Sequence, residues 1–313
     1  MTVFDNLSRT GASVNLEWLN TMGQFRFVHG DISNAFAISG EIQQSKPHTI
    51  FHLAGQVAMT TSMQSPRRDF EINVLGTVNL LEAVRLHAPE ARVVYASSNK
   101  VYGDLPLGLE EHPTRYSASA FPEGVNETAP LNFHTPYGCS KGAADQYMLD
   151  YARSFRLKTV VFRHSTIYGG RQFSTFDQGW VGWFCRQAIE IQRDPNRPPF
   201  TISGDGKQVR DLLHVSDAIR CYLAAADHID RAAGMAFNIG GGMENSMSLI
   251  ELFAHLEKRL GIHMAYERLP WRHSDQKFFV ANNRKAGEML HWKPLVEREK
   301  GIEETLTWEL SRV

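Results

Sequence analysis

Short apolar runs alternate with helical patterns through the first half of the chain. The helical pattern is clearest between residues 70 and 87, where Val74, Val78, Leu81 and Val84 recur at spacings of four and three. The strand-like runs are almost continuously apolar, as in strands that are covered on both faces. They are Thr2–Phe4, Phe25–Val28, Thr49–Leu53, Arg92–Ala96 and Thr159–Phe162. This alternation predicts an α/β fold, a doubly wound parallel sheet with helices on both sides.

The character of the sequence changes after about residue 166. Aromatic residues, Pro and Gly become frequent between 171 and 205, and helical patterns return at 215–226 and 249–260 around a strand at 235–239. Residues 194–199 (Asp-Pro-Asn-Arg-Pro-Pro) are the stretch most similar to a linker. We therefore expect a first domain over 1–166, with segments near 208–240 returning to it, and a smaller domain over 167–313. The cleft between them is the expected site.

Charge and composition exclude several classes of protein. Lys and Arg total 33 against 34 Asp and Glu, so nothing in the net charge favours a nucleic acid or an anionic membrane as partner. No apolar run reaches the roughly 18 residues that span a bilayer. Three widely spaced cysteines suit a reducing cytoplasm and form no disulfide framework or zinc pair. No His-Glu-x-x-His spacing occurs, and we predict no metal.

The pair Tyr137 and Lys141 lies at the start of a predicted helix that ends near Ser154. Residues four apart share one helix face, so the ammonium lies near the phenol. A neighbouring cation lowers a tyrosine pKa from about 10, which would make Tyr137 a general acid and base near neutral pH. Taken alone, the pair is a weak signal, and such a spacing is more often an ordinary surface contact on a helix.

A second polar group is expected at the carboxyl end of a strand. Ser98 ends the run Val-Tyr-Ala-Ser-Ser, and open α/β sheets bind their ligands at that edge. Ser98 could hydrogen-bond a substrate hydroxyl from which Tyr137 removes the proton. The following strand ends at the same edge, near His164 and Thr166.

Ser98, Tyr137 and Lys141 together resemble the catalytic trio of the extended short-chain dehydrogenase/reductase family, which contains the sugar-nucleotide epimerases and dehydratases. Further motifs follow in that family's order along nearly the whole chain. They are His52-Leu53-Ala54-Gly55, Asn73 before Gly76-Thr77, Gly204-Asp205-Gly206, Arg210-Asp211 and Asn238-Ile239-Gly240. The segments 98–103, 171–173 and 177–183 resemble one group of epimerases within the family.

The resemblance implies a Rossmann-like dinucleotide-binding domain over 1–166, a mainly substrate-binding domain over 167–313, and NAD as cofactor. An acidic residue at Asp5 would bind the ribose hydroxyls and favour NAD, although Arg9 leaves NADP open, and Asp31 would contact adenine or cap the next helix. The implied cofactor-binding residues are Asp5, Asn6, Ser8, Arg9, Asp31, Ile32, Leu53, Ala54, Gly55, Gln56, Asn73, Tyr137, Lys141 and His164.

The resemblance also implies a nucleotide-sugar substrate. Arg210 and Arg272, the latter three residues before Asp275, would bind the diphosphate and the nucleotide ribose. Thr166 would contact the sugar, and Trp180 would line the pocket unless it packs in the core. The expected substrate-binding residues are therefore Ser98, Thr166, Trp180, Arg210, Arg272 and Asp275.

One part of the family pattern is missing from the 313 residues. No Gly-x-x-Gly-x-x-Gly turn lies near the start, and residues 3–9 resemble the end of the family's second strand. The chain is therefore expected to lack the first strand, turn and helix, about 25–30 residues by typical element lengths. A fragment, a start codon assigned too late and a genuine truncation all remain open. Weakened or lost NAD binding is expected.

Three functions are consistent with these features. The leading one is a nucleotide-sugar epimerase that oxidises a sugar carbon and reduces it from the other face, expected to be a homo-oligomer. A 4,6-dehydratase is disfavoured, because that group has Asp-Glu after the catalytic hydroxyl residue where this chain has Asn99 and Lys100. The third is a non-catalytic remnant that binds a nucleotide sugar.

Overall fold

The computed structural model describes residues 1–312, and strands and helices alternate through its first half as expected. The strands are β1 Thr2–Asp5, β2 Arg26–His29, β3 Thr49–His52, β4 Arg92–Ser98, β5 Leu109–Glu111, β6 Tyr116–Ala118, β7 Lys158–His164, β8 Thr166–Tyr168, β9 Phe200–Ser203, β10 Val209–His214, β11 Met235–Ile239, β12 Ser246–Ser248, β13 Tyr266–Leu269 and β14 Phe278–Phe279. The helices are α1 Ala12–Met22, α2 Ala35–Ser45, α3 Met59–Gln64, α4 Pro66–Phe70, α5 Gly76–His87, α6 Thr135–Phe155, α7 Trp180–Arg193, α8 Val215–Asp227, α9 Ile229–Ala232, α10 Leu249–Leu260, α11 Arg284–Leu290 and α12 Arg298–Leu310.

The five strands predicted in the first half lie in two sheets, and β5 and β6 form a separate two-stranded one. β1 and β2 pair in parallel, and a separate four-stranded sheet has the order β11-β7-β4-β3, with β3 and β4 parallel. The five predicted strands of this region are confirmed, each with bounds shifted by at most two residues. The α/β prediction is therefore correct.

The chain divides into two compact units. Unit 1 contains residues 1–97, 136–162 and 225–236, and unit 2 contains 98–135, 163–224 and 237–313. Residues 225–236 fall within the segment expected to return to the first domain. Residues 98–135, by contrast, belong to unit 2, although the sequence analysis assigned them to the first domain. The assignment of cofactor binding to one domain and substrate binding to the other stays a prediction.

The helical pattern predicted over 70–87 is interrupted in unit 1. Residues 71–75 form one π-helical turn between α4 and α5. Leu81 and Val84 are fully buried, as the spacing predicted, in a core that also contains Val93 and Met148. A π-helical turn contains an extra residue and changes the direction of its side chains, and such turns often occur at functional sites.

The core of unit 2 lies between helices and short strands. Phe184 of α7, Phe200 of β9 and Phe253 of α10 meet with ring centroids 4.8 to 5.6 Å apart. β14 pairs in parallel with β10, so that Arg210 lies opposite Phe279. This pairing brings the segment just before β14 next to Arg210.

Residues 194–199, the stretch most similar to a linker, do not join the two units. The segment joins α7 to β9 within unit 2, where Asp194 Oδ1 accepts a hydrogen bond of 3.1 Å from Asn196 N and closes a turn. Pro and Asn favour turns as much as they favour linkers, and composition alone does not separate the two. Among residues 1–312, no helix combines the length and apolar character that crossing a membrane requires.

Candidate active site

Tyr137 and Lys141 lie in the first turns of α6, on the same face of the helix. Both are buried, Tyr137 with 9% and Lys141 with 3% of its surface exposed. The Tyr137 amide donates a 3.2 Å hydrogen bond to Ser62 Oγ, which fixes the start of the helix. Lys141 Nζ lies 4.6 Å from the ring centroid of Tyr95, so an aromatic face supports the ammonium.

Burial lowers the pKa of Lys141 to about 8, although the carboxylates of Asp69 and Asp145 act to raise it. At neutral pH most Lys141 side chains therefore remain charged. Burial and the Lys141 charge together lower the pKa of His52 to about 3, so His52 is neutral. His52 Nε2 lies 2.9 Å from Thr77 Oγ1, which itself donates to the Asn73 carbonyl oxygen.

Asn73 occupies the π-helical turn and connects three segments of unit 1. Its Oδ1 accepts a 2.9 Å hydrogen bond from Gln56 N, and its Nδ2 donates to Ser140 Oγ at 3.0 Å and to Asp69 Oδ1 at 3.3 Å. A Cβ at Gly55 would lie 2.9 Å from Asn73 Oδ1 and 3.5 Å from Lys141 Nζ. The predicted cofactor-binding residues Gly55, Gln56, Asn73 and Lys141 thus form one cluster.

A second cluster follows β1 and β2. Asn6 Nδ2 donates a 2.7 Å hydrogen bond to Asp31 Oδ2, and Asp5 Oδ1 accepts one of 2.6 Å from Leu7 N. Burial acts to raise the pKa of Asp31, but the hydrogen bonds from Ser33 and Asn6 act in the opposite direction and together outweigh burial. The pKa of Asp31 is therefore below its usual value. Asp5 is the last residue of β1 and Asp31 comes just after β2. The two carboxylates predicted to bind the adenosine therefore lie at the same ends of adjacent parallel strands.

The expectation that Asp31 caps the following helix is wrong. Asn34 caps α2, because its side chain accepts from the amides of Phe36 and Ala37. Asp31 lies too far before the helix to do so, and its Oδ1 instead accepts from Ser33 N at 2.9 Å, which closes a local turn.

The remaining predicted residues of unit 1 lie around these two clusters. Ser8 N donates to Asn6 Oδ1 at 3.0 Å, and Ile32 is buried in the core beside α5. Arg9, Leu53 and Ala54 are exposed, and Leu53 follows the end of β3 directly. Their contacts with a cofactor stay predictions.

Ser98 begins a tight turn in unit 2. Its Oγ accepts a 3.2 Å hydrogen bond from Lys100 N at the start of a short 3-10 helix over 99–102. The next side chain, Asn99, donates to Gln276 Oε1 at 3.0 Å, and Gln276 Nε2 donates to the Gly103 carbonyl at 2.8 Å. These bonds fix the turn to the segment that precedes β14.

Three charged groups meet next to this turn. Asp275 Oδ1 lies 3.0 Å from Arg210 Nη2 and 3.6 Å from Lys100 Nζ, and all three side chains are less than one-fifth exposed. Burial and the Arg210 charge lower the pKa of Lys100 to about 8, while Asp275 opposes that shift. Two cations therefore share the Asp275 carboxylate, while the charge of Asp104 also acts on Lys100 and that of Asp211 on Arg210.

The other predicted substrate residues also have partners in unit 2. Trp180 Nε1 donates to Thr166 Oγ1 at 3.1 Å, and the Trp180 ring packs against the core of the unit. Arg272 donates to Ser203 Oγ at 3.2 Å and to the Phe176 carbonyl at 3.1 Å. Asp275 N donates a 3.2 Å hydrogen bond to the Arg272 carbonyl oxygen, while its carboxylate pairs with Arg210.

His164 is buried with its Nε2 2.8 Å from the Tyr222 hydroxyl, and the two rings stack with centroids 5.6 Å apart. Its cofactor contact stays a prediction.

No sequence motif indicated a role for Asp69, Ser140 or Gln276. The spacing of four between Asp69 and Asn73 was the available signal, since it places both on one helical face.

Comparison with known proteins identifies relatives along nearly the whole chain. Residues 1–240 match the model of the NAD dependent epimerase/dehydratase family. The chain is 54% identical to a CDP-paratose 2-epimerase of Salmonella typhi, over 99% of this chain and 92% of that protein. It is 31% identical to a UDP-glucose 4-epimerase of Mycolicibacterium smegmatis, over 96% of this chain and 88% of that protein.

A solved structure gives the same result for the fold. The UDP-glucuronic acid 4-epimerase of Bacillus cereus, determined in complex with UDP-glucuronic acid and NAD, has a TM-score of 0.83 and 25% identity. The match covers 100% of this chain and 91% of that one.

Proposed function

The chain belongs to the NAD-dependent epimerase/dehydratase family, and we propose that it is a nucleotide-sugar epimerase that inverts carbon 2 of CDP-paratose to give CDP-tyvelose. The observation that carries this proposal is the 54% identity to a CDP-paratose 2-epimerase over almost the full chain. The buried Tyr137 and Lys141 pair supports the chemistry. CDP-tyvelose would supply a bacterial surface polysaccharide such as the lipopolysaccharide O-antigen.

Tyr137 is the proposed acid and base. Its phenolate takes the proton of the sugar hydroxyl as carbon 2 becomes a ketone, and its phenol returns that proton when the other face of the ketone is reduced. Lys141, which is buried and mainly charged at neutral pH, favours the phenolate. Ser98 would donate a hydrogen bond to the reacting oxygen. A bound NAD would supply the redox chemistry, that is, removal of the hydride from carbon 2 and its return.

The residues of unit 1 fit such a dinucleotide. Only glycine leaves room at position 55, where the backbone, the Asn73 amide and the Lys141 ammonium converge. Lys141 would bind the hydroxyls of the nicotinamide ribose and Asp5 those of the adenosine ribose. Asp31, with Asn6 bound to it, would contact adenine. An Asp at position 5 favours NAD over NADP, because a carboxylate repels a 2′-phosphate.

The residues of unit 2 fit a nucleoside diphosphate sugar. Arg210 and Lys100 both pair with the carboxylate of Asp275, and the diphosphate would supply further negative charge to these two cations. Arg272 would bind the nucleotide ribose. Thr166 and Trp180, already joined by a hydrogen bond, would contact the sugar.

We also propose that the 313-residue chain binds NAD weakly. Its sequence contains no Gly-x-x-Gly-x-x-Gly turn, and a helix start of that kind supplies amide donors to the pyrophosphate. Loss of two charge-assisted bonds would cost about 3–6 kcal/mol, or about two to four decades in Kd. Adding a strand, glycine turn and helix before Val3 should restore bound NAD, which is measured by absorbance after denaturation. Stoichiometric NAD in the 313-residue chain would contradict this proposal.

The experiment that tests the function supplies CDP-paratose with millimolar NAD and follows the sugar by NMR. We expect CDP-tyvelose as the product. The identity to a UDP-glucose 4-epimerase makes UDP-galactose the second substrate to test. Conversion of UDP-galactose to UDP-glucose without any action on CDP-paratose would overturn the proposed substrate and keep the reaction class.

The quaternary and cellular context is also a proposal. The family resemblance favours a homo-oligomer, and three widely spaced cysteines suit the cytoplasm. Sedimentation of the purified protein tests the first point, and cell fractionation tests the second.

A further inference from the structure

A buried carboxylate next to the Tyr137 and Lys141 cluster has no role in the chemistry described above. Asp69, on α4, is 1% exposed. Its Oδ1 accepts hydrogen bonds from Gln56 Nε2 at 2.8 Å and from Asn73 Nδ2 at 3.3 Å, and its Oδ2 accepts one from Ser140 Oγ. A buried charge is costly unless donors or an opposite charge compensate it, so this carboxylate needs a physical reason to be there.

The donors of Asp69 lead directly to the reactive helix. Ser140 precedes Lys141 in α6, and its hydroxyl also accepts from Asn73 Nδ2 at 3.0 Å. Asn73 in turn lies against Gly55, where Lys141 Nζ is also close. One network therefore joins Asp69 to the residue before Lys141 and to the backbone beside its ammonium.

Charged and titratable groups face Lys141 from four elements. Asp145 lies one turn further along α6, where Ser97 Oγ and Gln146 Nε2 each donate to it at 2.9 Å. Tyr137 is on the same helix, Tyr95 is on β4, and the neutral His52 is on β3. Of the two carboxylates, Asp69 acts more strongly than Asp145 on the Lys141 charge.

We propose that Asp69 is a positioning residue that keeps the Lys141 ammonium charged and oriented beside Tyr137 at neutral pH. Burial lowers the pKa of Lys141, and the negative charge of Asp69 opposes that shift more strongly than the charge of Asp145 does. The hydrogen bonds of Asp69 with Ser140 and Asn73 hold its charge at a fixed place. The functional meaning of this inference rests on the proposed role of Lys141, but its test does not require turnover.

The test measures the titration of Lys141 directly. Protein labelled with 13C at lysine Cε is titrated by NMR, and the Lys141 signal is assigned by its loss in Lys141→Met. We expect a wild-type midpoint near pH 8. Asp69→Asn keeps the shape of the side chain and removes the charge, so the midpoint should fall by about one pH unit. If that variant does not fold, Asp69→Ser is the smaller neutral replacement with the same expectation.

Two matched variants make the result specific. Asp145→Asn should lower the midpoint less than Asp69→Asn does. Asp150→Asn, on the exposed face of the same helix beside Arg153, should leave it unchanged. An unchanged midpoint in Asp69→Asn, or a larger shift in Asp145→Asn, would overturn the proposal. Absence of epimerase activity would contradict the proposed function and leave this titration result standing.

Discussion

Lys141 of unit 1 and Lys100 of unit 2 are both buried, and burial lowers the pKa of each to about 8. Their neighbours differ. Lys141 lies over the Tyr95 ring with two carboxylates acting on it, whereas Lys100 has a second cation, Arg210, beside it, and both pair with the carboxylate of Asp275. The two buried lysines therefore lie in different electrostatic surroundings. Around Lys141 carboxylates oppose the loss of its charge, as the proposed proton transfer requires, and around Lys100 two cations lie together, as the proposed anionic substrate requires.

This difference predicts that substitutions in the Tyr137 and Lys141 cluster lower kcat and that substitutions in the Arg210 and Lys100 cluster raise KM. Tyr137→Phe should have the largest effect, because it removes the proposed acid and base. We expect kcat to fall by about 10²–10⁴ with the fold retained. Tyr147→Phe on the exposed side of α6 is the matched control and should behave as wild type. Near-wild-type turnover of Tyr137→Phe would contradict the proposed role of Tyr137 as acid and base.

Arg210→Met should have the next largest effect. Loss of a charge-assisted bond to the diphosphate is worth about 1.5–3 kcal/mol, or roughly 10–100-fold in KM, with kcat little changed. Arg153→Met, which removes an exposed arginine, controls for net charge. If Arg210→Met lowered kcat and left KM unchanged, the proposed division of roles, with substrate binding at Arg210 and proton transfer at Tyr137, would be contradicted.

The pH dependence separates the two lysines more finely. Both lose their protons as the pH rises through about 8, so kcat should fall and KM should rise on the alkaline side. Lys100→Arg keeps its charge at every pH in this range. It should therefore abolish the rise in KM, about tenfold at one pH unit above the midpoint, and leave the fall in kcat. If Lys100→Arg also abolished the alkaline fall in kcat, that fall would have to be assigned to Lys100 and not to Lys141.

The smallest expected effect concerns the space beside Lys141. A methyl group at Gly55→Ala would lie 2.9 Å from Asn73 Oδ1, so the network must shift. We expect a loss of about 1–3 kcal/mol in stability and a melting temperature lower by a few degrees. Gly40→Ala in α2 is the control, since nothing lies within 4 Å of the added methyl. Gly40→Ala should be neutral or stabilising. Equal melting temperatures of the two variants would show that an added methyl group at position 55 is accommodated without cost.

The sequence predicted the elements of this fold better than the contacts of its site. Apolar period and run length identified β3, α10 and β11 almost to the residue, because burial depends on the local pattern. The π-helical turn at 71–75 was missed, since a run of apolar residues does not reveal one extra residue in a turn.

The networks around the two lysines could not be read from spacing. Asp69 meets Ser140 from 71 residues away, and Asn99 meets Gln276 from 177 residues away. Only the packing of distant elements creates such pairs. The family motifs located Tyr137, Lys141, Arg210 and Asp275, but they gave no sign of Asp69 and Asp145, whose carboxylates act on Lys141.

The central claim is that carbon 2 is inverted by removal and return of its own hydride. The most direct test supplies CDP-paratose deuterated at carbon 2, with NAD in ordinary water, and measures the deuterium at carbon 2 of the CDP-tyvelose formed. Hydride transfer within one bound sugar predicts that the deuterium is retained in the product. Its replacement by solvent hydrogen would contradict the account, because it would show inversion through proton exchange with water.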